Sequence, residues 1–402
     1  MQIQEEIVSV GVEVNIMDQE ENLKILNYVE CHNASSEELK KMRGVVQEVD
    51  TGRTLFETFP YTDEYDAEED REKIVEMLGD NFLDEWDAFY AVEGALLRVF
   101  WHQTRWYVTT NKKLNAFKSR WSSRKSFGEM FAEGLVALSP QNAENVLEKM
   151  LDSMDKEYVY FFLVGYNHEN RIVCQVGSPV IFIGRWNQDK VLDREWKHTP
   201  ALPGSVAVVS KTTEELIKEA AAVDIKVYQG VILFHKTENR QIKIHSPDYR
   251  KFSQIRGNNP NIRFRYLEVR NDPEKKKVLT DLYPIYQDMF LEYENILYQI
   301  AKLVRYYYIQ RYIKNKYVTL PKEEYILMKK CHDWYLSDRE ENKINVTKVF
   351  DILTKEDTLA LYKMIRRYQM NQYSSSTHAD ENSCEYPRIR ANEMTTMTST
   401  NL

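Results

Sequence analysis

The chain has 402 residues, 43% of them hydrophobic, enough for two domains with real cores rather than one. A formal net charge of −8 excludes indiscriminate coating of nucleic acid by the whole surface. Four dispersed cysteines (Cys31, Cys174, Cys331 and Cys384) form no Cys-x-x-Cys pair, which excludes a disulfide framework and leaves Cys31-His32 and Cys331-His332 short of a zinc ligand set. No apolar run approaches the roughly 20 residues that cross a bilayer. The start, Met1-Gln2-Ile3-Gln4-Glu5-Glu6, lacks the basic opening of a secretory signal, so an intracellular protein with no membrane partner is expected.

Residues 7–16 alternate through Val8, Val10, Val12 and Val14 and predict a strand. Residues 43–59 read as a hairpin turning at Asp50-Thr51-Gly52, followed by an acidic stretch and a helix over 70–78. A second hairpin covers 95–110 and turns near 102–105. Ser126 with Glu129 forms a capping box, and Ser139 before Pro140 marks another helix start. Strands are predicted over 158–164, 173–176 and 180–183, a helix over 213–222, a hairpin from 227–234 to 241–245, and a last strand over 262–269. From Pro284 a helical spacing of apolar residues persists for over thirty residues, and helical pattern continues over 321–336 and 346–368. The reading is α+β, a mixed-sheet domain over 1–271 and an all-α, tyrosine-rich domain over 272–371, with a disordered tail over 372–402.

Four segments then resemble the RNA ligase family of covalent nucleotidyltransferases. Arg43-Gly44-Val45-Val46 is similar to the Arg-Gly hairpin before the nucleotide site. Glu93-Gly94 and the hairpin behind it resemble the second half of the lysine motif. Asn170-Arg171-Ile172-Val173 resembles the strand end beside the nucleoside, and Gln229-Gly230 with Ile242-Lys243-Ile244-His245 resembles the Glu-Gly and Lys-x-Lys strands. The chain looks most like RNA-ligase-like proteins of large nucleocytoplasmic DNA viruses, which implies a viral protein of the host cytoplasm or virion. In the family a lysine amine takes AMP from ATP with magnesium. Here Ala91 stands in that place, Gln229 replaces the glutamate, and His245 replaces the second lysine.

A methyl group cannot form a phosphoramidate. The resemblance therefore implies a degenerate, catalytically inactive protein that keeps a nucleotide- or RNA-binding cleft lined by Arg43, Glu93, Lys113, Arg171 and Lys243. Two alternatives stay open. Pairing of the second hairpin places Lys112–Leu114 opposite Glu93–Ala95, so Lys113 could serve as a relocated nucleophile in an active ligase using ATP and magnesium. Alternatively, the fold is a scaffold for virion or assembly contacts. Lys118, Arg120 and Arg124 around Trp121, and Arg305 and Arg311 among the tyrosines of 303–317, suit phosphate and base contacts with RNA; they suit solvated faces as well.

Overall fold

The computed structural model describes residues 13–142, 144–175, 177–187 and 189–377. They fall into two units, Met1–Pro260 and Asn261–Leu402. The first holds three four-stranded sheets. Strands β1 (Val14–Glu20), β2 (Leu23–Tyr28), β3 (Val45–Glu48) and β4 (Thr54–Phe56) make an antiparallel meander in chain order. A second sheet orders β5 (Asp63–Asp66), β12 (Gln241–His245), β11 (Gly230–His235) and β6 (Trp86–Ala91), with only β5 and β12 parallel. The third orders β10 (Val180–Trp186), β9 (Val159–Gly165), β7 (Gly94–His102) and β8 (Arg105–Thr109), all antiparallel.

Period-two alternation decides what each sheet face meets. Leu97, Val99, Tyr160 and Phe162 turn outward onto α3 (Phe127–Leu138) and α4 (Val146–Ser153). Val231, Leu233, Ile242 and Ile244 turn outward onto α2 (Arg71–Leu78) and α5 (Thr213–Ala221). The opposite faces, with Phe100, Phe161, Trp186 and Phe234, meet Leu23, Ile25 and Val46 of the meander in one aromatic core around Phe59. Helix starts follow local chemistry. Ser126–Glu129 and Thr212–Glu215 both close reciprocal capping boxes.

The second unit is all helical, and its core gathers around α9 (Gln287–Tyr308). The α+β reading and the helical C-terminal region hold, and several elements differ from expectation. Residues 262–269 are a helix, α7 (Ile262–Val269), capped by the Asn261 side chain, which accepts from the N–H groups of Arg263 and Phe264. Ile262, Tyr266 and Val269 are buried together at helical spacing and join the core of the second unit. Residues 173–175 form no strand, because the N–H groups of Val173 and Cys174 are committed to a side chain described below and that of Gln175 to the Lys226 carbonyl. Ser139-Pro140 opens only a single 3₁₀ turn, and α4 begins at Val146 after Asn145. The long helical run closes in a π-helical turn, Ile309–Ile313. The pattern over 346–368 divides into α11 (Val346–Leu353) and α12 (Thr358–Thr377), so helix reaches into the expected tail. Residues 378–402, and the 7–12 part of the first predicted strand, lie outside the described residues.

Candidate functional site

Between the inner faces of the second and third sheets lies a cleft of about 500 Å³. Apolar side chains from both sheets, among them Leu96, Leu163, Ile232 and Phe234, form its floor, and Arg43, Lys112, Arg120 and Lys243 supply charge. No Asp or Glu is among the described residues that line it. The rings of Trp121, Tyr166 and Phe127 cluster at one wall, with centroids 6.1 and 6.4 Å apart. Apolar walls with a few converging polar groups are the usual make-up of a ligand site.

Ala91 lines the cleft at the end of β6, only 2% exposed. Its carbonyl accepts the Gln229 N–H at 2.7 Å, so the sheet ladder brings positions 91 and 229 side by side. Lys243 projects from β12 on the cleft face, its Nζ 3.9 Å from Glu64. Arg43 donates to the Pro60 carbonyl at 3.0 Å and the Thr62 hydroxyl at 3.3 Å. The following Gly44 has φ +64°, and a Cβ there would stand 2.9 Å from the Asn111 Cα. Only glycine lets the arginine turn approach the segment that carries Lys112.

Other expected site residues are placed elsewhere. Lys113 is not among the residues lining the cleft; it pairs with Asp18 at 3.2 Å on β1. Pairing of β7 with β8 holds as far as Arg98–Thr109, and the chain then turns. The Thr110 hydroxyl accepts from the N–H groups of Lys112 and Lys113, and its own N–H donates to the Lys113 carbonyl. That turn sends Lys112 to the cleft and Lys113 to the meander. Glu93 is also absent from the lining. It is buried and accepts three backbone N–H bonds, from Ile172 (2.8 Å), Val173 (2.7 Å) and Cys174 (3.1 Å). Arg171 donates to the carbonyls of Val173 and Cys174 and faces, with Glu93, a separate cavity of about 30 Å³. Burial, then the charge of Glu93, pushes both the Cys174 thiol and the Tyr249 hydroxyl upward.

The basic patch around Trp121 divides. Arg120 enters the cleft lining, Lys118 pairs with Glu20 at 2.5 Å, and Arg124 is exposed. Arg305 and Arg311 belong to the second unit. Arg305 donates to the Ile344 carbonyl at 3.4 Å, and Arg311 lies over the rings of Tyr312 and Tyr325.

Sequence reasoning missed two guanidinium groups against the aromatic core, Arg98 buried and Arg194 half-buried. Arg98 donates to the Gly44 carbonyl at 2.7 Å, and burial pushes it down to about 9. Arg194 lies 4.2 Å over Phe89 and 4.3 Å over the cleft residue Phe234; burial pushes it down to about 10, against the pull of Asp87. Each keeps one Nη2 with no hydrogen-bond partner among the described residues. The detectable signal for Arg98 was a cation inside the apolar run Leu96-Leu97-Arg98-Val99-Phe100.

Glu64 was likewise passed over as part of an acidic stretch. With Lys243, His245, Tyr249 and Arg250 it lines a second cavity of about 420 Å³ that shares Gln229 and Lys243 with the cleft. Burial pushes the Glu64 carboxyl up, but the His245 hydrogen bond and the charges of Lys243, His245 and Arg43 outweigh it and hold it at about 2. Burial pushes the His245 imidazole below its ordinary 6.5, against the Glu64 bond 3.3 Å away. An unfolded chain thus binds a proton at His245 below pH 6.5 that the folded chain refuses. Stability is expected to fall as pH drops through that window. Denaturant titrations of His245→Gln should show a shallower fall.

A metal ion finds little here. Among the described residues no group of three His, Cys, Asp or Glu side chains could hold one. A magnesium ion carried by the resemblance would meet no carboxylate in the cleft lining, whereas the cations and rings suit phosphate and base. No helix among the described residues is long and apolar enough to cross a membrane.

No protein-family model matches the chain. It is 28% identical over 296 residues to an immediate-early protein ICP-46 homolog of invertebrate iridescent virus 3, covering 72% of this chain and 64% of the relative. It is 24% identical over 351 residues to the homolog of invertebrate iridescent virus 6, covering 78% and 74%. A 91-residue stretch is 35% identical to ICP-46 of frog virus 3, covering 20% and 23%. The chain therefore spans somewhat less than two thirds of the first relative's length. Among solved structures it is similar to an archaeal ATP-dependent RNA ligase, with TM-score 0.39 and 13% identity over 68% of this chain and 74% of that one. An RNA ligase of Naegleria gruberi with ATP and manganese gives TM-score 0.27 and 11% identity over 47% and 57%.

Proposed function

We propose that the cleft binds a phosphate-bearing ligand, a nucleotide or the end of an RNA strand, and performs no lysine-adenylate chemistry on it. One observation carries this reading: four cations line the cleft, no carboxylate is among the described residues that line it, and Ala91 sits in its wall. Arg43, Lys112, Arg120 and Lys243 meet phosphate oxygens, and the charges of buried Arg98 and half-buried Arg194 add to the same positive field. Trp121 and Tyr166 offer ring faces for a base. Position 91 offers no amine, and no carboxylate is among the described residues lining the cleft, which supports binding without adenylyl transfer. The relatives' description as immediate-early proteins of viruses supports a setting in the infected cell.

Calorimetric titration with ATP in the absence of divalent metal is expected to show binding that Lys243→Ala weakens about tenfold or more, the worth of one charge-assisted bond. Incubation with labelled ATP and magnesium should leave the wild type unlabelled. Ala91→Lys should also stay unlabelled, because the carboxylates are still missing. The competing reading, an active enzyme with a relocated amine, now favours Lys112, which lines the cleft where Lys113 does not. A covalent AMP adduct on wild type that disappears in Lys112→Ala would establish it and overturn the binding-only reading.

A further inference from the structure

We infer that the second unit carries its own platform for a single-stranded polynucleotide, separate from the cleft and not dependent on it. The platform is built at the π-helical turn Ile309–Ile313. There the Lys314 N–H reaches back to the Ile309 carbonyl at 2.9 Å and the Lys316 N–H to the Gln310 carbonyl at 2.8 Å. This wider winding folds the segment carrying Lys314, Lys316 and Tyr317 back against the turn; π turns concentrate at functional sites.

Beside it runs α10 (Lys322–Ser337). Lys322, Tyr325, Lys329 and His332 follow one another at spacings of three and four, so they share one helix face. His332 stacks on Tyr312 with ring centroids 3.7 Å apart and 14° between planes, and Tyr308 lies 5.0 Å beyond Tyr312. Arg311 bridges the two elements, 5.6 Å over Tyr312 and 5.3 Å over Tyr325, with a 3.4 Å bond to the Tyr325 hydroxyl. Tyr317 is 91% exposed.

The charges decide what this surface fits. Some cations of the unit are neutralised: Arg270 by Glu294, Lys330 by Glu356, and Lys363 and Arg367 by Glu323. Arg311, Lys314, Lys316, Lys322 and Lys329 have no carboxylate partner among the described residues. Five unneutralised cations beside exposed ring faces, on a protein with net charge −8, form a local site for a polyanion whose repeating unit has a stackable plane. A single-stranded RNA or DNA meets both demands. A duplex hides its base faces, and an acidic peptide offers nothing to stack.

Fluorescence anisotropy of the full chain with a labelled 12-nucleotide single strand tests this. The triple variant Arg311→Ala/Lys314→Ala/Lys316→Ala is expected to weaken binding at least about tenfold and to lower the salt slope by about two. Tyr317→Ala with Tyr325→Ala should weaken it about fivefold or more at unchanged slope, and Tyr317→Phe should restore the stacking share. Lys243→Ala, which disables the cleft, should leave this affinity in place, so failure of the cleft reading and failure of the platform are told apart. Circular dichroism checks that the exposed-site variants stay folded. Loss of binding in Lys243→Ala but not in the triple variant overturns the platform, as does equal affinity for duplex, or no binding of a single strand by the wild type.

Discussion

Glu93→Ala is expected to cost about 3–6 kcal/mol of stability, from three backbone donors left unsatisfied at about 1–3 kcal/mol each, with some water entering. The carboxylate accepts from the N–H groups of Ile172, Val173 and Cys174, and it joins the loop after β6 to a segment some eighty residues away. Burial and then the charge of Glu93 push up the Tyr249 hydroxyl of α6 (Pro247–Arg256). Denaturant unfolding of the whole chain measures the loss. Glu93→Gln keeps one acceptor oxygen but presents an amide N–H₂ to another donor, and should lose roughly half as much. An alanine variant within 1 kcal/mol of wild type would show that the carboxylate does not pin the chain.

Gly230→Ala should lose about 3–6 kcal/mol, from a strained backbone angle plus overpacking. Gly230 has φ +145°, and a Cβ there would sit 2.1 Å from the Ile244 carbonyl oxygen of the partner strand. Backbone stands against backbone, so no rotamer change relieves the clash, and β11 must part from β12. Gly52→Ala is the control. It shares a positive φ of +67°, but its Cβ would meet nothing within 4 Å, so about 1–2 kcal/mol is expected. Equal losses in the two variants would exclude steric contact as the cause. Nucleotide binding should fall with Gly230→Ala too, since Lys243 rides on the displaced strand.

Much of the local architecture was legible because its causes are local. Both hairpins over 43–59 and 95–110 declare their turns in sequence, and Ser126 and Glu129 stand at the one spacing that closes a capping box. Ile262-Arg263-Phe264-Arg265-Tyr266 was misread because its alternation fits a strand as well as one short helix; the deciding capping bonds from Asn261 do not show as a period. The site was harder. Arg43, Arg120 and Lys243 line the cleft, but Lys112 and Lys113 differ by one position, and only the hydroxyl of Thr110 sorts them. Glu93 is beyond any spacing argument, because its partners are N–H groups that every residue possesses. Glu64 becomes visible only when the parallel pairing of β5 with β12 brings it beside His245.

The bond from the Gln229 N–H to the Ala91 carbonyl has a wider meaning. It runs between main-chain atoms just beyond the β6–β11 ladder, and it is indifferent to which side chains occupy the two positions. Reactivity at this spot and the integrity of the sheet are therefore inherited separately. A methyl group at position 91 therefore costs neither the strand pairing nor the shape of the pocket, as the proposed binding-only reading requires.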